Sequence, residues 1–318
     1  MPDGLPAGAL TSLEDLLGPS EGRYFAAGYR GVVHSLAPAA GDADPDAAAL
    51  TTTATVSYPR DWSTDGAGRP RTPHLSSVDA VVLATLAFER AAGAGATHRW
   101  IRDVELHAGT EPWWDLENVP VSVGVETTAD GTRLRGKVGN IRTVVQLCDS
   151  PRPDDHAPPV EPPPDAAPSV YGDAFRRTTA TTGVHPVDRV TQSVRAEHRF
   201  AVDDDPPAPA SASGVEAAYH PALTVLDYLV TMGQLTQVLV YELAGTGRAA
   251  VGNLWMRSLR ILGVPRPEPL PAALTTTTTL VRDRLLTRAG AAVHDVLVES
   301  KTSNGVRAEG KLAWGGAA

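Results

Sequence analysis

The chain contains a single cysteine, Cys148. An internal disulfide framework is therefore excluded, and a reducing compartment is the expected setting. There is no basic run, and 28 Lys and Arg stand against 37 Asp and Glu for a net charge of -9; this argues against a nucleic-acid partner. The opening residues, Met1-Pro2-Asp3-Gly4, have neither the basic nor the apolar segment of a secretory signal. No long apolar run is free of polar groups. The most apolar stretch, Val225 to Leu243, carries Asp227, Gln234, Gln237 and Glu242, which are costly in lipid, so it reads as a buried helix and not a membrane span. A soluble cytoplasmic protein without membrane contact is expected. Common catalytic signatures are missing too: no His-Glu-x-x-His, Cys-x-x-Cys, Gly-x-Ser-x-Gly or Walker loop occurs. Gly245-x-Gly247-x-x-Ala250 follows a helix pattern where a dinucleotide fingerprint needs a strand, and Asp154-Asp155-His156 lies in a Pro-rich tract as solvated charge. Neither a metal nor a cofactor is expected.

What the chain does contain is a repeat. His74-Leu75-Ser76-Ser77-Val78-Asp79 precedes an apolar run and then Trp100-Ile101-Arg102; His220-Pro221-Ala222-Leu223-Thr224-Val225-Leu226-Asp227 precedes another and then Trp255-Met256-Arg257. The order His, Asp, long helix, Trp-apolar-Arg strand recurs at offsets of 146, 148 and 155 residues. That is the size of a duplicated domain. A length of 318 residues also suits about two domains of roughly 150 residues. The expected division is 1–150, a Pro-rich linker over 151–168 and 169–318.

Within each half the pattern gives a strand, a helix apolar nearly all round and several further strands. A short helix starts near Thr11 or Ser12 and stops at Gly18. Strands are expected at Thr51–Tyr58, Arg99–His107, Val119–Thr127 and Arg133–Leu147, then Arg195–Val202, Gly252–Val264, Ala273–Arg288, Ala291–Ser300 and Val306–Trp314. Asp130-Gly131 and Asn304-Gly305 mark hairpins. A second patch without hydrophobic period runs from Asp203 to Gly214. A curved antiparallel sheet around a buried helix is the hot-dog arrangement; two in one chain give an α+β double hot-dog.

Four residues are candidates for moving a proton: His74, Asp79, His220 and Asp227. An acid on an apolar helix is costly to bury unless paired or neutral, and a raised pKa suits it to acid–base work. The competing reading is structural. Ser76-x-x-Asp79 and Thr224-x-x-Asp227 are both capping boxes, and a His just before a helix is an ordinary cap or loop residue. Thr231, Gln234 and Tyr241 share the Asp227 face of the second helix, and a polar stripe there suits either a ligand or a network between the halves. Trp62 and Arg60 are further binding candidates, in a loop whose Arg60, Arg69 and Arg71 suit an anionic ligand; packing beneath the loop is the alternative. Arg102 and Arg257 read as solvated, or as a clamp for phosphate or carboxylate.

The segments Leu13 to Tyr29, Ser57-Tyr58-Pro59-Arg60-Asp61-Trp62-Ser63 and His74-Leu75-Ser76-Ser77-Val78-Asp79-Ala80 resemble the avirulence D (AvrD) family of bacteria. That resemblance implies acyl transfer or condensation of a β-ketoacyl thioester, carried by an acyl carrier protein or CoA, with a small xylulose-like polyol. The product would be a butenolide signal of the syringolide type. The logic is similar to that of A-factor-type butyrolactone synthases. A more distant resemblance, through His220-Pro221-Ala222-Leu223, is to polyketide dehydratase double hot-dogs, but Asp227 comes two residues late for their motif. A 3-hydroxyacyl thioester dehydratase or hydratase is thus the first alternative, and a non-catalytic acyl-lipid-binding module the second.

Overall fold

Two helices apolar on nearly every side organise the molecule. Helix α1 (Leu13–Leu17) is a single short turn; α2 (Ser77–Ala92) and α3 (Val225–Ala244) are the long ones. All three begin with a capping box: Ser12 with Asp15, Ser76 with Asp79, and Thr224 with Asp227. In each, the cap hydroxyl accepts from a first-turn amide while the carboxylate accepts from the cap amide, satisfying donors that the helix itself leaves open. Along α2, Val78 through Thr85 without interruption, then Ala87 and Phe88, are buried. Gly245, in the left-handed region, ends α3. The structure, a computed structural model, describes residues 9–38, 49–65, 68–149, 167–203, 211–248, 254–288 and 291–315.

Among the described residues, thirteen strands form one antiparallel sheet around the two helices. They are β1 (Thr11–Ser12), β2 (Val33–Leu36), β3 (Ala49–Ser57), β4 (Arg99–His107), β5 (Val119–Thr128), β6 (Gly131–Val138) and β7 (Ile141–Asp149), followed by β8 (Thr178–Val184), β9 (Ser193–Val202), β10 (Trp255–Leu262), β11 (Ala272–Arg288), β12 (Ala291–Thr302) and β13 (Arg307–Gly315). Their order across the sheet is β1-β8-β9-β11-β12-β13-β10-β4-β7-β6-β5-β3-β2. This is the double hot-dog expected from the sequence.

The halves join through β4 and β10, the two Trp-apolar-Arg strands. Leu106 pairs with Leu259 and Val104 with Ile261. With the offset of 155 that superposes Trp100 on Trp255, Glu105 is the counterpart of Arg260. Those two residues face each other in the register, Arg260 Nη2 lying 3.2 Å from Glu105 Oε1. The sequence repeat is thus a pseudo-two-fold axis passing through this pair.

The structure departs from the sequence reading in three places. Arg133–Leu147 is two strands, because Gly139 takes φ +56° and turns the chain between β6 and β7; a Cβ there would also come within 2.7 Å of Leu75. Strands β2 and β8 have no counterpart in the sequence reading. And β1 pairs with β8 of the second half, so the first strand crosses over from the N-terminal repeat. Residues 151–166 of the expected linker, and 204–210 of the second aperiodic patch, lie outside the described residues.

Candidate active site

The large cavity between the halves measures about 560 Å³. It opens at the N-terminus of α2, where His74, Ser76 and Ser77 line it, and at the C-terminal end of α3, through Gln237 and Tyr241. The loop from Trp62 to Arg71, the Ala108–Trp113 segment after β4, the start of β10 and residues of β12 and β13 also contribute to the wall. Its volume falls in the range of small-molecule sites, roughly 300–1,000 Å³.

His74 sits among three tryptophans. Its ring centroid is 5.9 Å from that of Trp62, 5.7 Å from Trp114 and 5.1 Å from Trp255. Its Nδ1 is buried without a hydrogen-bond partner among the described residues. Burial lowers its pKa below the ordinary 6.5, against a hydrogen bond to the Thr72 backbone and the charge of Asp79, so the neutral, proton-accepting imidazole dominates at neutral pH.

One layer behind the wall lies a polar relay. Asp79 is wholly buried and accepts from the Ser76 amide at 2.7 Å, from the Tyr58 hydroxyl, and from His34 Nε2 at 2.7 Å. The Tyr58 hydroxyl also lies 2.9 Å from the His74 carbonyl oxygen, and the Tyr24 hydroxyl is 2.5 Å from Ser76 Oγ. Tyr24, Tyr58 and Trp62 pack edge to face or tilted at 4.9 to 6.1 Å, a geometry aromatic quadrupoles favour. Glycine is required at position 28, where a Cβ would lie 2.0 Å from the Trp62 carbonyl oxygen.

Of the residues singled out from sequence, His74, Trp62, Arg71, Tyr241 and Arg257 meet at the cleft. Asp79 stands behind it, joined through Ser76 and Tyr58. The others lie elsewhere. Arg60 is exposed and outside the lining. Thr231 donates to the Asp227 carbonyl of its own helix, and Gln234 to the Phe25 carbonyl, so the second-helix polar stripe satisfies backbone acceptors at those two positions and does not face the cleft there. His220 and Asp227 are at the opposite end of α3. There Asp227 accepts from the Thr224 amide at 2.7 Å and hydroxyl at 2.9 Å, and burial raises its pKa to about 6. By the pseudo-symmetry that end is the counterpart of the cleft, yet it is packed with Tyr171 and Glu216, respectively 0% and 3% exposed. Burial pushes the Glu216 pKa to about 8. His220 loses basicity through burial and the charge of Arg177.

His34, Tyr24, Arg23 and Arg248 escaped the sequence reading as site residues, and Trp255 entered it only as a marker of the repeat. The one available signal for His34 was Asp79 itself: a lone acid on an apolar helix needs a donor, but spacing does not say which strand brings it. Among the described residues there is no group of three or more His, Cys, Asp or Glu able to hold a metal, and no helix is long and apolar enough to cross a membrane.

Fold and cleft together define a double hot-dog protein with one open interior site and one filled counterpart. The sequence matches the Pseudomonas avirulence D protein (AvrD) family over residues 8–314, and the chain belongs to that family. No curated protein matches it. Solved structures similar to it include an acyl-ACP thioesterase from Bacteroides thetaiotaomicron, at 11% identity over 85% of this chain and 99% of that one, with a TM-score of 0.41. A hot-dog protein of unknown function from Alicyclobacillus acidocaldarius matches at 11% identity over 89% and 96%, with a TM-score of 0.39. The dehydratase domain of RzxB from Pseudomonas fluorescens matches at 14% identity over 88% and 93%, with a TM-score of 0.36.

Proposed function

We propose that the chain is an enzyme acting on acyl thioesters, and that it transfers a β-ketoacyl group to a small polyol in making a butenolide signal of the syringolide type. The observation that carries this reading is the placement of His74. Its buried Nδ1 has no partner among the described residues, the ring lines the cleft, and Ser77 of the α2 first turn lines the same cleft. The Ser77 amide, at the first helical position, has no acceptor within the helix and suits a developing oxyanion. Leu254, Met256 and Trp113 offer apolar wall to the acyl chain.

In the proposed reaction, His74 takes the proton of a polyol hydroxyl as its oxygen attacks the thioester carbonyl. The oxyanion forms against the Ser77 amide, the C–S bond breaks, and the proton passes from His74 to the leaving thiolate. The products are an ester and a free thiol. Asp79, Tyr58 and His34 position the loop and helix end that hold His74. Elimination of water from a 3-hydroxyacyl thioester, which calls for a His and an acid on one substrate, finds less support: Asp227 is away from the cleft and Asp79 is behind its wall.

Incubating the protein with a β-ketoacyl-CoA or the same acyl group on a carrier protein, with and without xylulose, tests the proposal by thiol release. Polyol-dependent release is expected. Bound but unconsumed thioester in both forms would favour a lipid-binding module instead.

A further inference from the structure

The cleft carries a strong imbalance of charge that the transfer chemistry does not use. Arg23, Arg71, Arg248 and Arg257 line it, against the single carboxylate of Glu111. Two of these guanidiniums, those of Arg71 and Arg248, meet on one backbone node, and Arg23 adjoins it in the chain. Arg248, which follows α3, reaches across to the first half, where Nη2 donates to the Gly22 carbonyl at 2.8 Å and the Thr64 carbonyl at 3.0 Å and lies 3.4 Å from Ser63 Oγ. Arg71 Nε donates to the same Thr64 carbonyl at 3.3 Å. The Thr64 amide in turn donates to the Gly22 carbonyl at 2.9 Å, and Arg23 is the next residue along.

Arg23 is only 4% exposed. Its Nε donates to the Pro19 carbonyl at 2.9 Å, and its Nη2 lies 3.8 Å from the mostly exposed Glu14, a weak pairing. Its Nη1 is buried with no acceptor among the described residues. Glu21 is the other acid that acts on it. Burial, together with neighbouring guanidinium charge, lowers the pKa of Arg23 and of Arg248 below the ordinary arginine value. A buried guanidinium N–H without an acceptor is expensive, and crowding cations at a cleft raises the local positive potential. An anion in the cleft offsets both costs. A tetrahedral oxyanion with several acceptors suits planar forks better than a single carboxylate does.

We infer that Arg23, Arg71 and Arg248 form a subsite for the phosphate group of a phosphorylated substrate. The thioester reading bears only on which molecule carries that phosphate: the polyol, or the CoA or phosphopantetheine end of the acyl donor. The charge imbalance stands without it.

Calorimetry with xylulose 5-phosphate against xylulose, and CoA against pantetheine, tests the subsite and separates the two sources. At least one phosphorylated member is expected to bind about tenfold tighter or more than its parent, with the preference shrinking as salt rises. Arg248→Gln and Arg71→Gln should each erase most of that preference and leave the parent's affinity unchanged; Arg248→Lys, which keeps charge but loses the fork, should fall between. Thermal melts establish that the variants fold, and Arg71→Gln carries the test if Arg248→Gln does not. Equal affinities within both pairs for the unaltered protein, or a preference untouched in the folded arginine variants, would overturn the subsite. Phosphate preference without any thioester turnover would leave the subsite standing and sink the acyl-transfer proposal.

Discussion

His34 Nε2 lies 2.7 Å from Asp79 Oδ1, and both side chains are sealed from solvent. The contact joins the short strand β2 to the first turn of α2, and through Asp79 it fixes Ser76 and Tyr58 beside His74. Removing one partner of such a buried hydrogen-bonded pair leaves the other unsatisfied, which typically costs about 1–3 kcal/mol and more for a charged group. His34→Ala and Asp79→Asn are therefore expected to be strongly destabilising in urea unfolding, and the double variant less so than the sum, with a coupling of about 1 kcal/mol or more. Strictly additive losses would show that the pair does not act as a unit.

Ser76 has two structural duties: it caps α2 and meets the Tyr24 hydroxyl at 2.5 Å. Ser76→Ala should cost about 1 kcal/mol from the cap, with a further loss from the stranded tyrosine. Tyr24→Phe removes only the second part. A thermal melt series across Ser76→Ala, Tyr24→Phe and their combination separates the two: the combined variant loses the cap but strands no hydroxyl, so it should be at least as stable as Ser76→Ala alone, and a full additive loss would contradict the contact.

Stability should depend on pH in a defined direction. Burial raises Glu216 to about 8 from an ordinary 4.5, Glu89 to about 7 and Asp227 to about 6. Folding thus favours their protonated forms; that contribution is fully present below the unfolded pKa and is lost as pH rises through each folded value. His198, lowered to about 4 by burial, acts the other way: its contribution is present above 6.5 and is lost as pH falls toward 4. Between pH 6.5 and 8 the carboxyls dominate, so unfolding free energy should decline across that interval. Glu216→Gln should flatten the decline, and an unchanged slope in that variant would exclude Glu216 as its source.

How far the sequence reaches is clearest at the two helix starts. Both capping boxes were legible, because a hydroxyl and a carboxylate three residues apart ahead of an apolar run are a local signal, and local signals survive folding. The duplication was legible for the same reason, and it correctly gave the fold. What the sequence concealed was which end of the pseudo-symmetric molecule stays open. The polar stripe on α3 reaches the cleft at Tyr241, but Gln234 is consumed by the Phe25 carbonyl and the Asp227 end is filled by Tyr171 and Glu216. Tyr171 and Glu216 are brought there by segments with no period to read. His34 and Arg248 likewise act across 45 and 184 to 226 residues of chain, distances at which spacing carries no information.

Gly28 allows the Trp62 backbone to approach so closely that no side chain fits. Gly28→Ala should shift the Trp62 loop and destabilise the protein by roughly 1–3 kcal/mol. Tryptophan fluorescence should change with it, since Trp62 is 5% exposed and packs on His74. Unaltered emission with unaltered stability would mean the loop yields without cost.

His74 is the centre of the proposed chemistry. The most direct measurement is the rate of polyol-dependent thiol release from a β-ketoacyl thioester by the unaltered protein and by His74→Ala, followed from pH 5 to 8. Loss of a general base is expected to lower the rate about 10²–10⁴-fold. In the unaltered protein the rate should climb with pH and level off by neutrality, because the working form is the neutral imidazole and burial holds its pKa below 6.5. Thiol release that persists at a similar rate in a folded His74→Ala, or a rate that falls as pH rises through that range, would contradict the assignment.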